Sequence, residues 1–128
     1  MKYQIKLFSW DDKGNHLIVL ARGFMDVDAF RRLFQEITEA TRPLIDCKVL
    51  ADLSDSTYEL EAADVNEFVG ELPPDAWPSG NKVALVSGAN LDDYHRLYLL
   101  RTALSARGFS AGVFLDSKAA IDWLAGNV

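Results

Sequence analysis

The chain has 128 residues, of which 49% are apolar and 25% are charged, and its formal net charge is −6. This length suits one domain, and this composition is globular rather than disordered. The negative charge argues against a nonspecific nucleic-acid binder, and no apolar run approaches the roughly 18 residues that a membrane-spanning helix needs. Since the amino-terminal segment also lacks an apolar block of the signal-peptide kind, we expect a single cytoplasmic domain over residues 1–128 with no membrane insertion.

The first two elements are predicted to form a hairpin of strands. Residues 3–7 alternate apolar and polar side chains, which is the period of a half-exposed strand. Residues 11–15 have the sequence DDKGN, which favours a turn. The continuous apolar run 17–21 predicts a strand that is buried on both faces, lies deeper in the sheet and ends at Gly23.

A helix and a third strand follow. Asp26 is expected to cap the helix by accepting from free N–H groups of its first turn, and Pro43 ends the helix because the residue before proline avoids helical angles. The third strand is predicted over residues 47–53. It contains the only cysteine, Cys47, which excludes an internal disulfide and two-cysteine motifs and is expected to be a buried apolar residue.

The segment after this strand carries the candidate site of the chain. Ser54, Asp55, Ser56 and Thr57 lie between the predicted strand and an apolar helix face that includes Val65. Short hydroxyl and carboxylate side chains satisfy the free N–H groups at the start of a helix. We therefore expect these residues to begin the helix, and the alternative is that one of the hydroxyls is a regulated phosphate acceptor.

The same region holds the acidic charge of the protein. Residues 46–75 contain nine acidic residues and one basic residue, which gives −8 and leaves +2 for the rest of the chain. A solvated helix face explains such a run. The alternative is a docking surface for a basic partner protein.

A loop with three prolines follows this helix, in the segment LPPDAWPSGNK. Trp77 lies between two of these prolines. We expect its ring to fold back over the edge of the core, since an aromatic side chain buries a large apolar area. The alternative is an exposed contact for a ligand or partner.

The remaining elements complete an alternating order. A strand is predicted over residues 82–86, followed by a helix that Asn90 caps and Gly108 ends. A strand over residues 111–115 and a last helix capped by Asp116 complete the chain. The order β-β-α-β-α-β-α-β-α predicts an α/β fold, with a single mixed sheet of about five strands and four helices. Strands that alternate with helices are joined by right-handed crossovers and run parallel.

The sequence contains no recognisable catalytic motif. Glycine-rich phosphate loops and the GxSxG pattern are absent. Asp92, Asp93 and His95 are the one weak candidate for a catalytic or metal cluster, but acidic residues at a helix start complement the helix dipole. We therefore expect no enzymatic activity, no cofactor and no metal.

The order of elements and several residues resemble the SpoIIAA-like group, which is related to the STAS domains of anti-sigma-factor antagonists and sulphate transporter tails. The resemblance covers nearly the whole chain. It includes the opening hairpin with Gly23 and Asp26, the strand ending in residues 51–53 (ADL), the strand KVALV at residues 82–86, and the closing residues 114–116 (FLD) with Ala120, Trp123 and Leu124.

The resemblance implies a non-enzymatic bacterial regulatory domain that binds a protein partner. In anti-sigma antagonists a serine in the pattern Asp-Ser-Ser-Gly, beside the loop after the third strand, is phosphorylated by a partner kinase. Here the corresponding residues are Asp55, Ser56, Thr57 and Tyr58, without the glycine. Ser56 is the best positional match and Ser54 the next. Apart from the resemblance, Tyr58 and Trp77 are the candidate residues for contact with a ligand or partner, which for Trp77 is the alternative to packing on the core.

Two alternatives remain open at this point. Related members are similar to lipid-carrier folds, which implies an apolar pocket between sheet and helices that could hold a small molecule. The candidate lining residues are Phe24, Phe30, Phe34, Phe68, Tyr94, Tyr98, Phe109 and Trp123. A homodimer is also possible, because the first strand could pair with a second copy, although Lys2 and Lys6 partly guard that edge.

Overall fold

A computed structural model describes residues 3–9, 16–42, 46–73, 81–88 and 90–126 of the chain. The strands are β1 (Tyr3–Ser9), β2 (His16–Met25), β3 (Lys48–Tyr58), β4 (Lys82–Val86) and β5 (Ser110–Phe114). The helices are α1 (Val27–Thr41), α2 (Ala62–Glu71), α3 (Leu91–Ala106) and α4 (Ser117–Leu124). The predicted order of elements and the α/β fold are confirmed. No helix in these ranges combines the length and the apolar character needed to cross a bilayer.

The five strands form one mixed sheet in the order β1-β2-β3-β4-β5. β1 runs antiparallel to β2, and the other three pairs are parallel. β2 therefore lies inside the sheet, as predicted, while β1 and β5 form its two edges. The turn at residues 11–15, Pro43 and the loop with Trp77 lie outside the described residues.

The two faces of the sheet are covered unequally. On one face, α1, α2 and α3 pack over a large core that includes Val19, Val49 and Val83. On the other face, α4 covers a smaller cluster that includes Leu50, Ala84 and Leu124. The part of this second face that β1 and β2 form carries no described helix, and Leu20 is 40% exposed there. The prediction that β2 is buried on both faces is therefore wrong.

The starts of α1, α3 and α4 and the end of α3 follow local capping rules. Asp26, Asn90 and Asp116 each accept a hydrogen bond from the backbone amide three residues later, at 3.0, 3.1 and 2.8 Å. Gly108 ends α3 with φ of 84°, a conformation that glycine adopts without steric cost. These predicted caps are confirmed, because they depend only on neighbouring residues in the chain.

Two predicted strand ends are wrong. β2 continues through Gly23 to Met25, because Gly23 pairs with both Tyr3 and Ser56 in the sheet. β5 covers Ser110–Phe114, one residue earlier than predicted, because its register with β4 starts at Ser110. The end of β2 thus pairs with β1 on one side and with the carboxyl end of β3 on the other. The carboxyl end of β3 holds the candidate site.

Candidate functional site at the carboxyl end of β3

The predicted site residues lie in a strand and not at a helix start. β3 pairs with β4 only as far as Asp52, but it continues beside β2 to Tyr58. α2 begins at Ala62, and the preceding Glu61 makes no side-chain hydrogen bond to the helix. The prediction that Ser54, Ser56 and Thr57 cap α2 is therefore wrong, because pairing with β2 satisfies the backbone groups of this segment instead.

A β-bulge lies at the point where β4 stops. Leu20 pairs with Asp52 but Arg22 pairs with Asp55, so β3 contains one more residue than β2 across this interval. A bulge shifts the alternation of side chains between the two faces of a sheet. Leu53, Ser56 and Tyr58 are all buried as a result, although simple alternation from Leu53 would turn the last two outward.

Ser54 is exposed at this bulge and is held by Asp52. Its Oγ donates to Asp52 Oδ1 at 2.6 Å, and its backbone N–H donates to the same oxygen at 3.0 Å. Gly88 packs against Ser54 from the end of β4, where a β-carbon would lie 3.2 Å from Ser54 Cβ and φ is 79°. Ser54 thus presents an accessible hydroxyl at the carboxyl edge of the parallel strands, where ligands commonly bind in α/β sheets.

Ser56 has the opposite environment. It is 6% exposed, and its Oγ donates to the Ala21 carbonyl at 2.9 Å. Thr57, the next residue, is exposed beside Phe24, its partner on β2. Of the three predicted acceptors, Ser54 and Thr57 are therefore accessible, whereas the hydroxyl of Ser56 is used inside the fold.

Tyr58 closes the end of the strand. Its ring is 6% exposed and meets Phe30 edge to face at 5.7 Å, and its hydroxyl donates to the Leu53 carbonyl at 2.7 Å. Burial raises the pKa of Tyr58, and the carboxylates of Asp93 and Asp52 raise this pKa further. The ring lies in the core, and contact of Tyr58 with a ligand or partner stays a prediction.

The surface around Ser54 is acidic. Asp52 is half-buried and Asp55 is exposed, with Arg22 3.9 Å from the Asp55 carboxylate. Such an exposed pair contributes little to stability, so Arg22 is free to reorient. Ser54 therefore presents to solvent a hydroxyl that donates a hydrogen bond to the Asp52 carboxylate. Within the described residues, no group of three or more side chains is arranged to hold a metal ion.

The weak catalytic candidate does not form a site. Asp92 and His95 are exposed, and Asp93 is half-buried, where its carboxylate pairs with Arg96 at 3.1 Å. None of these side chains lines the grooves beside Asp55, Phe68 or Trp123 in the described surface. Acidic residues in the first turn of α3 favour the helix dipole, which explains their presence.

The aromatic residues predicted to line a pocket divide between core and surface. Phe30, Phe34, Phe68 and Phe109 are buried, and Phe34 packs on Phe68 at 5.9 Å. Three grooves of the described surface are each lined largely by polar or strand residues. Trp77 lies outside the described residues, so its predicted contact is not located.

Two neighbours of the site were not predicted. Asp52 was expected only as part of a strand end, although an aspartate that bonds the amide two residues later is a local pattern that sequence can reveal. Gly88 is the second of these neighbours. Its contact with Ser54 depends on the pairing of β3 with β4, which no local signal reports.

Comparisons with known proteins identify the fold. No family model matches the chain, and no curated protein matches it. An uncharacterized protein of the DUF3478 family with a SpoIIAA-like fold, from Shewanella loihica PV-4, is 18% identical with a TM-score of 0.54 over 95% of this chain and 93% of that one. The anti-sigma factor antagonist SpoIIAA in its unphosphorylated form is 14% identical with a TM-score of 0.52 over 98% and 99%. The chain therefore has the SpoIIAA-like fold.

Proposed function

We propose that the chain is a non-enzymatic, cytoplasmic regulatory domain that binds a protein partner around the carboxyl end of β3, and that a phosphate on Ser54 breaks this contact. The observation that carries the proposal is the exposed Ser54 hydroxyl at the bulge of β3. One of the similar structures is an anti-sigma factor antagonist in its unphosphorylated form. That description supports a regulatory role for a domain of the same fold.

Geometry favours Ser54 over Ser56 as the acceptor. A kinase needs an accessible hydroxyl, and Ser54 is exposed whereas Ser56 is buried and bonded to the Ala21 carbonyl. Phosphorylation of Ser56 would require β2 and β3 to separate. We therefore propose Ser54, which is accessible, although Ser56 matches the family pattern better in sequence position.

A phosphate on Ser54 would change the local charge strongly. Ser54 Oγ would attack the γ-phosphorus of ATP, ADP would leave, and the hydroxyl proton would pass to a base of the kinase. The product carries about −1.5 to −2 charges at neutral pH. It would lose the 2.6 Å hydrogen bond to Asp52 and face that carboxylate instead. Repulsion would displace the side chain and alter the surface that a partner meets.

The charge of the neighbouring surface supports a partner with a basic surface. Glu59, Glu61 and Glu67 are exposed on and before α2, and Asp55 is exposed on β3. A basic surface on the partner would complement this side of the domain and speed association. Screening by salt should therefore weaken the complex.

Site-specific photo-crosslinking in the cells that produce the protein tests the proposal. A photoreactive amino acid replaces Thr57, which is exposed three residues after Ser54, or the exposed Gln35 on α1 as the matched control. We expect a protein adduct from position 57 and none from position 35. Ser54→Ala should retain the adduct, and Ser54→Asp should remove it.

The phosphate itself is tested by intact-mass measurement of the same purified protein. The wild type should contain a fraction heavier by one phosphate, and Ser54→Ala should lack this fraction, whereas Ser56→Ala should retain it. An adduct from position 57 that Ser54→Asp leaves unchanged, or a phosphate that persists in Ser54→Ala, would contradict the role of Ser54.

The small-molecule carrier stays a prediction with less support. Its expected lining residues include Phe30, which packs on Tyr58, and Phe34 and Phe68, which pack on each other in the core. Native mass spectrometry of the purified chain checks this alternative directly, since a carrier should retain a bound species.

A further inference from the structure

The edge strand β5 is open and unprotected. β4 pairs with one side of it, and within the described residues no strand pairs with the other side. Natural edge strands usually carry charged residues or proline that prevent pairing with another chain. β5 has the sequence SAGVF and carries neither, whereas the other edge, β1, presents Lys6 to solvent.

Side chains of two helices turn this edge into a groove of about 420 Å³. Tyr98, Arg101 and Ser105 of α3 form the wall above one face of the sheet, and Trp123 of α4 forms the wall above the other. Gly112 lies between them, where a β-carbon would meet the Phe114 ring at 2.9 Å. The groove therefore offers a strand edge at its base and aromatic rings on both sides.

A cation lies next to an aromatic ring of each wall. The Arg101 guanidinium lies 5.5 Å from the centre of the Tyr98 ring, and the Lys82 ammonium lies 5.2 Å from the centre of the Trp123 ring. Within the part of the chain that the structure describes, neither cation makes an ion pair. One cation thus lines the groove and a second lies next to its Trp123 wall, on a chain whose net charge is −6.

We infer that the β5 edge binds an extended acidic segment of another protein, which adds a sixth strand to the sheet. Backbone hydrogen bonds to β5 would give affinity, as in other complexes formed by strand addition. Successive side chains of a strand point to opposite faces. Two adjacent acidic residues would therefore reach Arg101 on one face and Lys82 on the other.

A second copy of the chain fits this edge less well. In a two-fold dimer the same patch of both subunits meets itself. Pairing of two β5 strands would therefore bring a second Arg101 and a second Lys82 to an edge that already carries both cations. Like charges across a strand pair are destabilising, so charge favours an acidic partner.

Peptide binding tests this inference separately from the role of Ser54. The probe is a fluorescein-labelled peptide, Ser-Val-Thr-Glu-Glu-Val-Thr-Ser, and the matched probe has lysine in place of both glutamates. Fluorescence anisotropy with the full chain should show tighter binding of the glutamate peptide. Amide NMR spectra should show shifts and slower hydrogen exchange at Ser110–Phe114.

Charge reversal in the groove supplies the control. Arg101→Glu should weaken the glutamate peptide by at least about tenfold, since like-charge contacts at an interface are strongly unfavourable. The same variant should prefer the lysine peptide. Arg32→Glu, which makes the same charge change at an exposed position of α1, should alter binding by less than about twofold.

Four results would overturn the inference. They are equal binding of both peptides, no binding at millimolar peptide, spectral changes confined to residues outside the groove, and a dimer in sedimentation experiments whose formation protects the β5 amides. The last result would assign the edge to a second copy of the chain.

Discussion

Ser54 and Ser56 are two residues apart and have opposite environments. A strand without irregularity would place both on the same face of the sheet. The extra residue in β3 separates them, so that Ser54 faces solvent and Ser56 faces the core. One bulge therefore decides which hydroxyl is exposed and which one bonds to the neighbouring strand.

Alanine substitutions should separate these two roles. Ser56→Ala removes the donor to the Ala21 carbonyl, and we expect the free energy of unfolding to fall by about 1 kcal/mol. Ser54→Ala removes an exposed hydrogen bond to Asp52, and its effect should stay within about 0.5 kcal/mol. Urea denaturation of both variants measures the difference. A larger loss from Ser54→Ala than from Ser56→Ala would contradict these assignments.

Tyr58 should make the stability of the protein sensitive to alkaline pH. Its pKa is raised by burial and then by the carboxylates of Asp93 and Asp52. Below about pH 10 the phenol is neutral in both the folded and the unfolded state, so its contribution to stability is complete. Above that pH the unfolded phenol ionises first, and stability should fall by roughly 1.4 kcal/mol per pH unit until the folded pKa is passed.

A comparison of phenylalanine variants checks this pH dependence. Tyr58→Phe should flatten the loss of stability above about pH 10, whereas Tyr98→Phe, at an exposed position, should keep the slope of the wild type. Thermal unfolding over this pH range gives the measurement. Equal slopes for the wild type and Tyr58→Phe would show that Tyr58 is not the group that titrates.

At the scale of elements, local signals in the sequence predict the helices. Pairing between strands that are distant in the chain sets the end of β3 and the position of the bulge. Asp26, Asn90 and Asp116 were correctly predicted as caps, since each bonds an amide three residues away. The extension of β3 to Tyr58 was missed because its partner is β2, more than thirty residues earlier in the chain. The bulge was missed for the same reason. Local sequence signals therefore predict the segment of candidate hydroxyls but not which of these hydroxyls is exposed.

Substitution of a capping residue should cost more stability than substitution of a residue that precedes a helix without capping it. Asp26→Ala removes a cap bond to the start of α1, and we expect the free energy of unfolding to fall by about 1 kcal/mol. Glu61→Ala, before α2, should cost less than about 0.5 kcal/mol, because Glu61 makes no cap bond. Denaturant unfolding of the pair measures both values. A cost for Glu61→Ala as large as that for Asp26→Ala would restore a capping role to the segment before α2.

At the scale of the molecule, the two faces of the sheet should differ in cooperativity. α1, α2 and α3 share one large core, whereas the eight-residue α4 covers only the smaller cluster around Leu50 and Ala84. Elements with few buried apolar contacts open at lower free energy than the whole domain. We therefore expect native-state hydrogen exchange to show that α4 amides exchange through a local opening, with a lower free energy and a weaker denaturant dependence than β4 amides.

Two leucine variants distinguish this local opening from global unfolding. Leu104 packs in the large core and Leu124 in the small cluster, and each is almost fully buried. Leu104→Ala destabilises the native state and the state with α4 detached equally. The free energy of opening measured at β4 amides should therefore fall by about 2–5 kcal/mol, while the value measured at α4 amides stays unchanged. Leu124→Ala destabilises only the state in which α4 is packed, so protection of both elements should fall together. If Leu104→Ala lowers α4 protection as much as β4 protection, then α4 unfolds only with the whole domain, and the two faces of the sheet form one cooperative unit despite their unequal cores.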